Sequence, residues 1–278
     1  MVGMSATVII PRMADQSGGT PPILFEGVAR DFEGRVAVAD LDLRVASGEL
    51  FGLIGPNGAG KTTTIKMAVG LLRPSRGRVL ICGHDIQRQG SEARRHLGYV
   101  PDNAALYEKL TGLEMLELAS DLHGVSRERR RRRIPALLGA LELSSASGQL
   151  VQSYSRGMRQ KLALCAALMP DPEVVFLDEP TVGLDPHAAR QLKTMLRTLC
   201  DTGHTVFLST HALEIASALC DRVGIFRAGR LVALGSVAEL ERRGGADSGG
   251  PGALEDAFMA VTGAADEETT SLIRALSA

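Results

Sequence analysis

The chain has 278 residues, of which 45% are hydrophobic and 23% are charged, and this is enough apolar sequence to bury a sizeable core. The formal net charge is −1 and only 4% of the residues are aromatic, so the composition indicates no nucleic-acid partner. No stretch approaches the roughly 18 consecutive apolar residues of a membrane span, and the first residues do not resemble a signal peptide. We therefore expect a cytoplasmic protein.

The apolar pattern predicts alternating strands and helices in one large domain. Residues 1–22 predict a flexible arm, 23–236 the ordered domain, and 237–278 a glycine-rich linker with a helical tail. Within the domain, mostly helix is predicted over 104–170. Shorter elements are predicted as strands at 36–45, 50–54, 79–82, 98–100, 174–177 and 205–209, helices at 61–72, 187–200 and 212–220, and a hairpin over 223–234. This alternation is typical of an α/β fold with a mostly parallel sheet.

The four cysteines do not have the spacing of a disulfide framework or a metal motif. Cys82, Cys165, Cys200 and Cys220 each lie in an apolar or helical stretch. We expect buried, reduced thiols. A metal site is the alternative, which the spacing of these residues does not favour.

A glycine-rich phosphate-binding loop follows the buried strand at 50–54 and opens the next helix. Its sequence fits GxxxxGK[ST], in which backbone N–H groups cradle phosphates at a helix N-terminus. Lys61 is placed to reach the β- and γ-phosphates, and the Thr62 hydroxyl to ligate Mg²⁺. The predicted nucleotide-binding residues of this segment are Gly55, Pro56, Asn57, Gly58, Ala59, Gly60, Lys61, Thr62 and Thr63. The loop alone does not distinguish kinases, GTPases and motor ATPases.

Two carboxylates end the apolar strand at 174–177. Asp178 is predicted to hold Mg²⁺ and Glu179 to orient or deprotonate the attacking water. A turn-capping role for the pair is the alternative. His211 ends the strand at 205–209, where ligands bind in open α/β sheets, and we expect it to bond the γ-phosphate and to hold Glu179.

The segment Tyr154-Ser155-Arg156-Gly157-Met158 lies between the loop and the carboxylates. With it, the order of motifs over about 23–236 resembles the ABC ATPase family. The resemblance implies a P-loop NTPase core with a mostly parallel sheet, an antiparallel β subdomain and an inserted helical subdomain. It also implies that two ATPase domains pack head to tail, with Ser155 and Gly157 contacting the ATP held by the partner's loop and Asp185 linking the two sites. Phe32 stands where the family stacks an aromatic ring on adenine; a buried core ring is the alternative.

The chain departs from the family pattern in two places. In the signature, Arg156 replaces a glycine and Met158 replaces the final glutamine, and further upstream Asp102 replaces a glutamine that usually touches Mg²⁺ or its water. We expect Asp102 to reach the hydration shell of the ion. The segments 106–111 and 254–259 resemble the branch that serves drug, lipid and polysaccharide exporters.

Six arginines between Arg127 and Arg133 form a basic run. We expect a solvated helix face offset by Glu128 and Glu142, with docking against a permease or lipid head groups as the alternative.

Together these features predict an ATPase subunit that powers a separate membrane permease, held at the inner face of the membrane through that permease. The alternatives are a non-transport ABC ATPase of DNA repair, translation or cofactor assembly, and a phosphotransferase. The 93 residues between Lys61 and Ser155 (155 − 61 − 1) are too few for the coiled-coil arms of the repair proteins.

Overall fold

The computed structural model describes residues 19–243 and 253–262, and all structural statements below concern those two ranges. None of the helices within them combines the length and the apolar character needed to cross a membrane. Residues 1–18 of the expected arm lie outside these ranges. The glycine-rich linker at 244–252 also lies outside them.

A six-stranded, mostly parallel sheet forms the centre of the fold, in the order β10-β9-β3-β8-β7-β6. Strand β10 alone runs antiparallel, paired with β9. Every residue of β3, β7 and β8 is buried, as expected for parallel strands covered on both faces. The bounds are β3 Leu50–Ile54, β6 Leu97–Val100, β7 Val174–Asp178, β8 Thr205–Thr210, β9 Arg222–Arg227 and β10 Arg230–Ser236.

A four-stranded antiparallel sheet packs beside it, in the order β2-β1-β4-β5. Its strands are β1 Ile23–Phe32, β2 Arg35–Val45, β4 Arg76–Ile81 and β5 His84–Asp85. The sequence pattern did not predict β1, because a bulge between Phe25 and Val28, with Gly27 at φ +54°, interrupts the alternation of apolar residues.

Helix α1 (Lys61–Ala68) packs between the two sheets, with Ile65 and Met67 fully buried. Phe207 joins the layers, since its ring lies 6.2 Å from Phe25 of the antiparallel sheet and 5.2 Å from Phe51 of the central one. The helix is shorter than the predicted 61–72. It ends because Gly70 adopts the left-handed conformation, at φ +76°.

An all-helical lobe is inserted between β6 and β7, as predicted. A capping box of Thr111 and Glu114 begins its first long helix, and the Ser155 hydroxyl caps its last. Its helices are α3 Gly112–Leu122, α4 Arg127–Ala140 and α5 Arg156–Leu168, with 3₁₀ turns at Ser144–Ala146 and Val151–Ser153. The remaining helices of the fold are α2 Gly90–Arg95, α6 Pro186–Asp201, α7 Leu213–Leu219, α8 Val237–Arg243 and α9 Ala253–Thr262.

The C-terminal helices lie against the domain. Leu240 of α8 and Leu254 and Ala257 of α9 are almost fully buried, and α9 contacts α7 and α8. The helix predicted for the tail therefore forms, but it packs onto the body of the domain and does not stand apart from it.

Two expectations about surface chemistry need correction. Cys165, Cys200 and Cys220 are buried as expected, whereas Cys82 is partly exposed because it lies in the turn between β4 and β5. The basic run lies on α4, and its ion pairs are with Glu128, Asp121 and Asp171. Glu142 does not offset it, because that carboxylate bonds His187 instead.

Candidate active site

The phosphate-binding loop connects β3 to α1 at the carboxyl end of the central sheet. Two of its glycines make room for neighbouring backbone. A Cβ on Gly60, which has φ +110°, would lie 2.3 Å from the Ala37 carbonyl oxygen, and a Cβ on Gly55 would lie 2.3 Å from that of Phe226. Gly60 is also the N-cap residue of α1, so the loop turns directly into the helix N-terminus, where N–H groups favour anions.

Lys61 is held inside this loop. Its ammonium donates to the carbonyl oxygens of Gly55 at 2.7 Å and Pro56 at 3.2 Å, and it lies 3.5 Å from Glu179 Oε1. The side chain is only 6% exposed. A buried cation with carbonyl and carboxylate partners is positioned to meet phosphate oxygens that enter the loop.

Asp178 ends β7 next to Thr62, as the order of the strands predicts. The Thr62 hydroxyl donates to Asp178 Oδ1 at 3.1 Å, and the Ser209 hydroxyl donates to the same oxygen. The carboxylate is 2% exposed. Hydroxyl and carboxylate oxygens are the hard donors that Mg²⁺ prefers, so Thr62 and Asp178 fit this ion.

Sequence reasoning did not identify Ser209. It lies opposite Asp178 in the register of β7 with β8, and its hydroxyl also accepts from the Glu179 N–H at 3.3 Å. The available signal was a polar residue close to the end of an otherwise apolar strand.

Glu179 and His211 form a hydrogen-bonded pair at the same edge of the sheet. His211 Nδ1 lies 2.9 Å from Glu179 Oε2. The Glu179 backbone has φ +48°, a conformation that costs a non-glycine residue energy, and its N–H donates to the Ser209 carbonyl oxygen at 3.1 Å. The strained turn separates the direction of Glu179 from that of Asp178. Glu179 is 13% exposed and His211 50%, so the imidazole reaches solvent while the carboxylate is mostly covered.

A cleft of about 680 Å³ opens over the loop, a volume that suits a nucleotide. It is lined at one end by Phe32, whose ring is 43% exposed and carries the Arg30 guanidinium 4.4 Å from its centroid. Phe32 is thus a cleft residue and not a core residue. The other predicted residues that line the cleft are Asn57, Gly58, Ala59, Gly60, Lys61, Thr62, Thr63, Asp102 and Glu179.

The signature residues lie elsewhere. Ser155 caps α5 by accepting from the Met158 N–H at 3.2 Å, and a Cβ on Gly157 would contact Leu184 at 3.4 Å. Asp185 caps α6, accepting from the Ala188 N–H at 2.8 Å. Among the residues described, none of these three lines the loop cleft.

Comparison with known proteins agrees with this geometry. Residues 38–182 match the family described as ABC transporter. The daunorubicin resistance ATP-binding protein DrrA3 of Streptomyces coeruleorubidus is 42% identical over 225 residues, which are 81% of this chain and 71% of that protein. The daunorubicin/doxorubicin resistance ATP-binding protein DrrA of Streptomyces peucetius is 40% identical over 222 residues, which are 80% of this chain and 67% of that protein.

Comparison with solved structures also finds ATP-binding proteins of ABC transporters. An ATP-binding subunit of an ABC transporter superposes with a TM-score of 0.80 at 32% identity, over 86% of this chain and 98% of the other. A nucleotide-free ATP-binding cassette from an ABC transporter, 23% identical, shares the fold at a TM-score of 0.70. The chain therefore belongs to the ABC transporter family as one of its ATP-binding ATPase subunits.

Proposed function

We propose that this chain hydrolyses ATP to drive export through a separate membrane permease. The observation that carries the proposal is the meeting of Lys61, Thr62, Asp178, Glu179 and His211 at the carboxyl edge of one sheet. Export is supported by the relatives, two of which are named for daunorubicin resistance. The non-transport alternatives have no such support from the names of these relatives.

In the proposed reaction, the loop N–H groups and Lys61 bind the phosphates of ATP in the cleft. Thr62 and Asp178 would hold Mg²⁺, which offsets charge on the phosphates when bound. Glu179 orients the water and accepts its proton, and the His211 imidazole fixes the Glu179 carboxylate. Phe32 offers its exposed face to the adenine ring, and His211 would bond the γ-phosphate.

The proposed active form is a dimer. Ser155 and Gly157 begin α5, where N–H groups favour an anion, yet they do not line the cleft of their own chain. A second copy of the ATPase domain would bring them to the nucleotide, and Asp185 would lie near that interface. We assign this domain to 23–236, with the helical lobe at 104–170, and the segment 237–278 as its C-terminal extension.

The proposed location is the cytoplasmic face of the membrane, reached through the permease. A permease partner is consistent with the family, whose ATP-binding subunits act with membrane subunits. Reconstitution with a candidate permease, followed by ATP-dependent uptake of daunorubicin into inverted vesicles, tests export. Uptake that needs ATP supports the proposal, and retention of ATPase activity without any transport by the pair opposes it.

Hydrolysis itself is tested by substituting the loop lysine. Lys61→Ala should lower ATPase activity at least about 100-fold, because the developing phosphate charge loses its buried cation. Lys66→Ala is the matched control, since Lys66 lies on the same helix with an exposed side chain. Equal activity of the two variants would refute the proposed role of the loop.

A further inference from the structure

We propose that Cys82, His96 and Glu173 form a Zn²⁺-binding site at the amino-terminal edge of the central sheet. The Cys82 thiol, one His96 ring nitrogen and one Glu173 carboxylate oxygen all lie within 4.8 Å of one another. The residues come from three separate places: the turn after β4, the end of α2, and the position before β7. Their spacing in the sequence hides the cluster, which only the fold assembles.

The distances suit a tetrahedral ion after small side-chain movements. His96 Nδ1 lies 2.7 Å from Glu173 Oε1, and Cys82 Sγ lies 3.6 Å from Glu173 Oε2. Zinc bonds of about 2.0–2.3 Å place neighbouring ligand atoms roughly 3.3–3.8 Å apart. The imidazole and carboxylate must therefore separate by about half an ångström, which the 64% exposed Glu173 side chain allows.

The backbone fixes two of the three ligands. The Cys82 N–H donates to the Pro22 carbonyl oxygen at 2.9 Å, and the His96 carbonyl oxygen accepts from the Val174 N–H at 2.9 Å, next to Glu173. The His84 ring stacks on His96 with centroids 5.4 Å apart and planes 10° apart, which restrains the imidazole. A site with such ligands needs little reordering to bind an ion.

The donor set favours zinc over the ions that use only oxygen. One thiolate, one imidazole and one carboxylate form a mixed S, N and O set typical of Zn²⁺, whereas Mg²⁺ and Ca²⁺ prefer oxygen ligands. Three protein ligands leave a fourth position for water. The ion would tie the antiparallel sheet, through Cys82, to the starts of β6 and β7 in the central sheet.

This site is distinct from the ATP site. Glu173 precedes β7 and Asp178 ends it, so about 16 Å of strand separates the two. The proposal does not depend on the proposed transport function, and zinc binding is measured without ATP.

The test uses the full chain without an affinity tag, freed of metal with EDTA and titrated with Zn²⁺ against a chromophoric chelator. We expect one high-affinity Zn²⁺ per chain, with a dissociation constant below about 1 µM. Cys82→Ser and His96→Ala should each weaken binding at least about 10-fold. His187→Ala, an exposed histidine paired with Glu142 outside the cluster, is the matched control and should bind like the parent chain.

Cobalt titration of the parent chain supplies a readout that does not need the variants to fold. Co²⁺ should produce a thiolate-to-metal charge-transfer band, and Zn²⁺ should remove it. Zinc should also raise the melting temperature of the parent chain and not that of His96→Ala. Absence of the thiolate band, or zinc affinity equal in His96→Ala and His187→Ala, would overturn the proposal and indicate adventitious histidine binding only.

Discussion

Asp102, which lines the ATP cleft, forms an ion pair with Arg156, with Arg156 Nη2 3.5 Å from Asp102 Oδ1. Both residues depart from the family pattern, and they lie 54 positions apart (156 − 102 = 54). Gly183 makes room for the arginine, because a Cβ there would lie 2.7 Å from Arg156 Cδ. Asp102 thus lines the cleft while its charge is offset by Arg156.

This contact predicts how substitutions affect ATP binding. Arg156→Ala should weaken ATP binding about 2–5-fold at low salt, because it leaves the Asp102 carboxylate unpaired near the phosphates. The double variant Arg156→Ala with Asp102→Asn should recover the affinity, as measured by fluorescent-nucleotide titration. Arg132→Ala, which removes an exposed pair with Glu128 on α4, is the control. A double variant that binds no better than the single one would contradict this account.

Substitution by alanine should lower the free energy of unfolding by different amounts at two glycines of the phosphate-binding loop, Gly60 and Gly58. Gly60→Ala should lower the free energy of unfolding by at least about 2 kcal/mol, since it combines φ +110° with a Cβ 2.3 Å from the Ala37 oxygen. Gly58→Ala has φ +78° but no atom within 4 Å of the added Cβ, so its cost should be about 1 kcal/mol. Urea denaturation measures both, and equal costs would be inconsistent with the close approach at Gly60.

The helix cap at Asp185 predicts a pH-dependent stability. The Ala188 N–H holds the pKa of the Asp185 carboxyl below its usual range. A carboxyl whose pKa is lowered by folding stabilises the fold above its unfolded pKa and loses that contribution as pH falls through the folded value. The parent chain should therefore melt above Asp185→Asn at pH 7, and the difference should shrink as the pH falls toward 3. A difference in melting temperature that stays constant between those pH values would argue against the cap.

Burial predicts that three thiols are unreactive in the folded chain. It raises the pKa of Cys165 to about 12 and of Cys200 to about 11, and it also raises the pKa of Cys220. Alkylation by iodoacetamide at pH 8 should be at least about 100-fold slower than for an exposed thiol, because the thiolate is the nucleophile. Mass spectrometry should find these residues modified only after unfolding in urea. Rapid labelling in the absence of urea would contradict their burial.

The central part of this fold was predictable because parallel strands leave their carboxyl ends at one edge. The strand before Asp178, the strand before His211 and the loop at Gly55 each had a clear local pattern, so their meeting followed from the fold class alone. Helix boundaries were less predictable: α1 stops early at Gly70, and β1 was missed because of its bulge at Gly27.

Contacts between distant positions could not be read from the sequence. Ser209 was missed because its role depends on the register of β7 with β8. The pair of Asp102 with Arg156 and the cluster of Cys82 with Glu173 depend on how loops from separate elements approach one another. No local periodicity encodes such contacts, since each residue alone is an ordinary loop or helix-end residue.

Glu179→Gln gives the most direct test of the account. The substitution keeps the size of the side chain and removes the carboxylate that His211 holds at 2.9 Å, so the base is lost while the phosphate loop is intact. Single-turnover hydrolysis of radiolabelled ATP should fall at least about 100-fold. ATP should still bind, and the variant should accumulate as a nucleotide-loaded dimer on size exclusion. Glu128→Gln, on the exposed face of α4, should behave like the parent chain. Normal turnover by Glu179→Gln would contradict the assignment of Glu179 as the base.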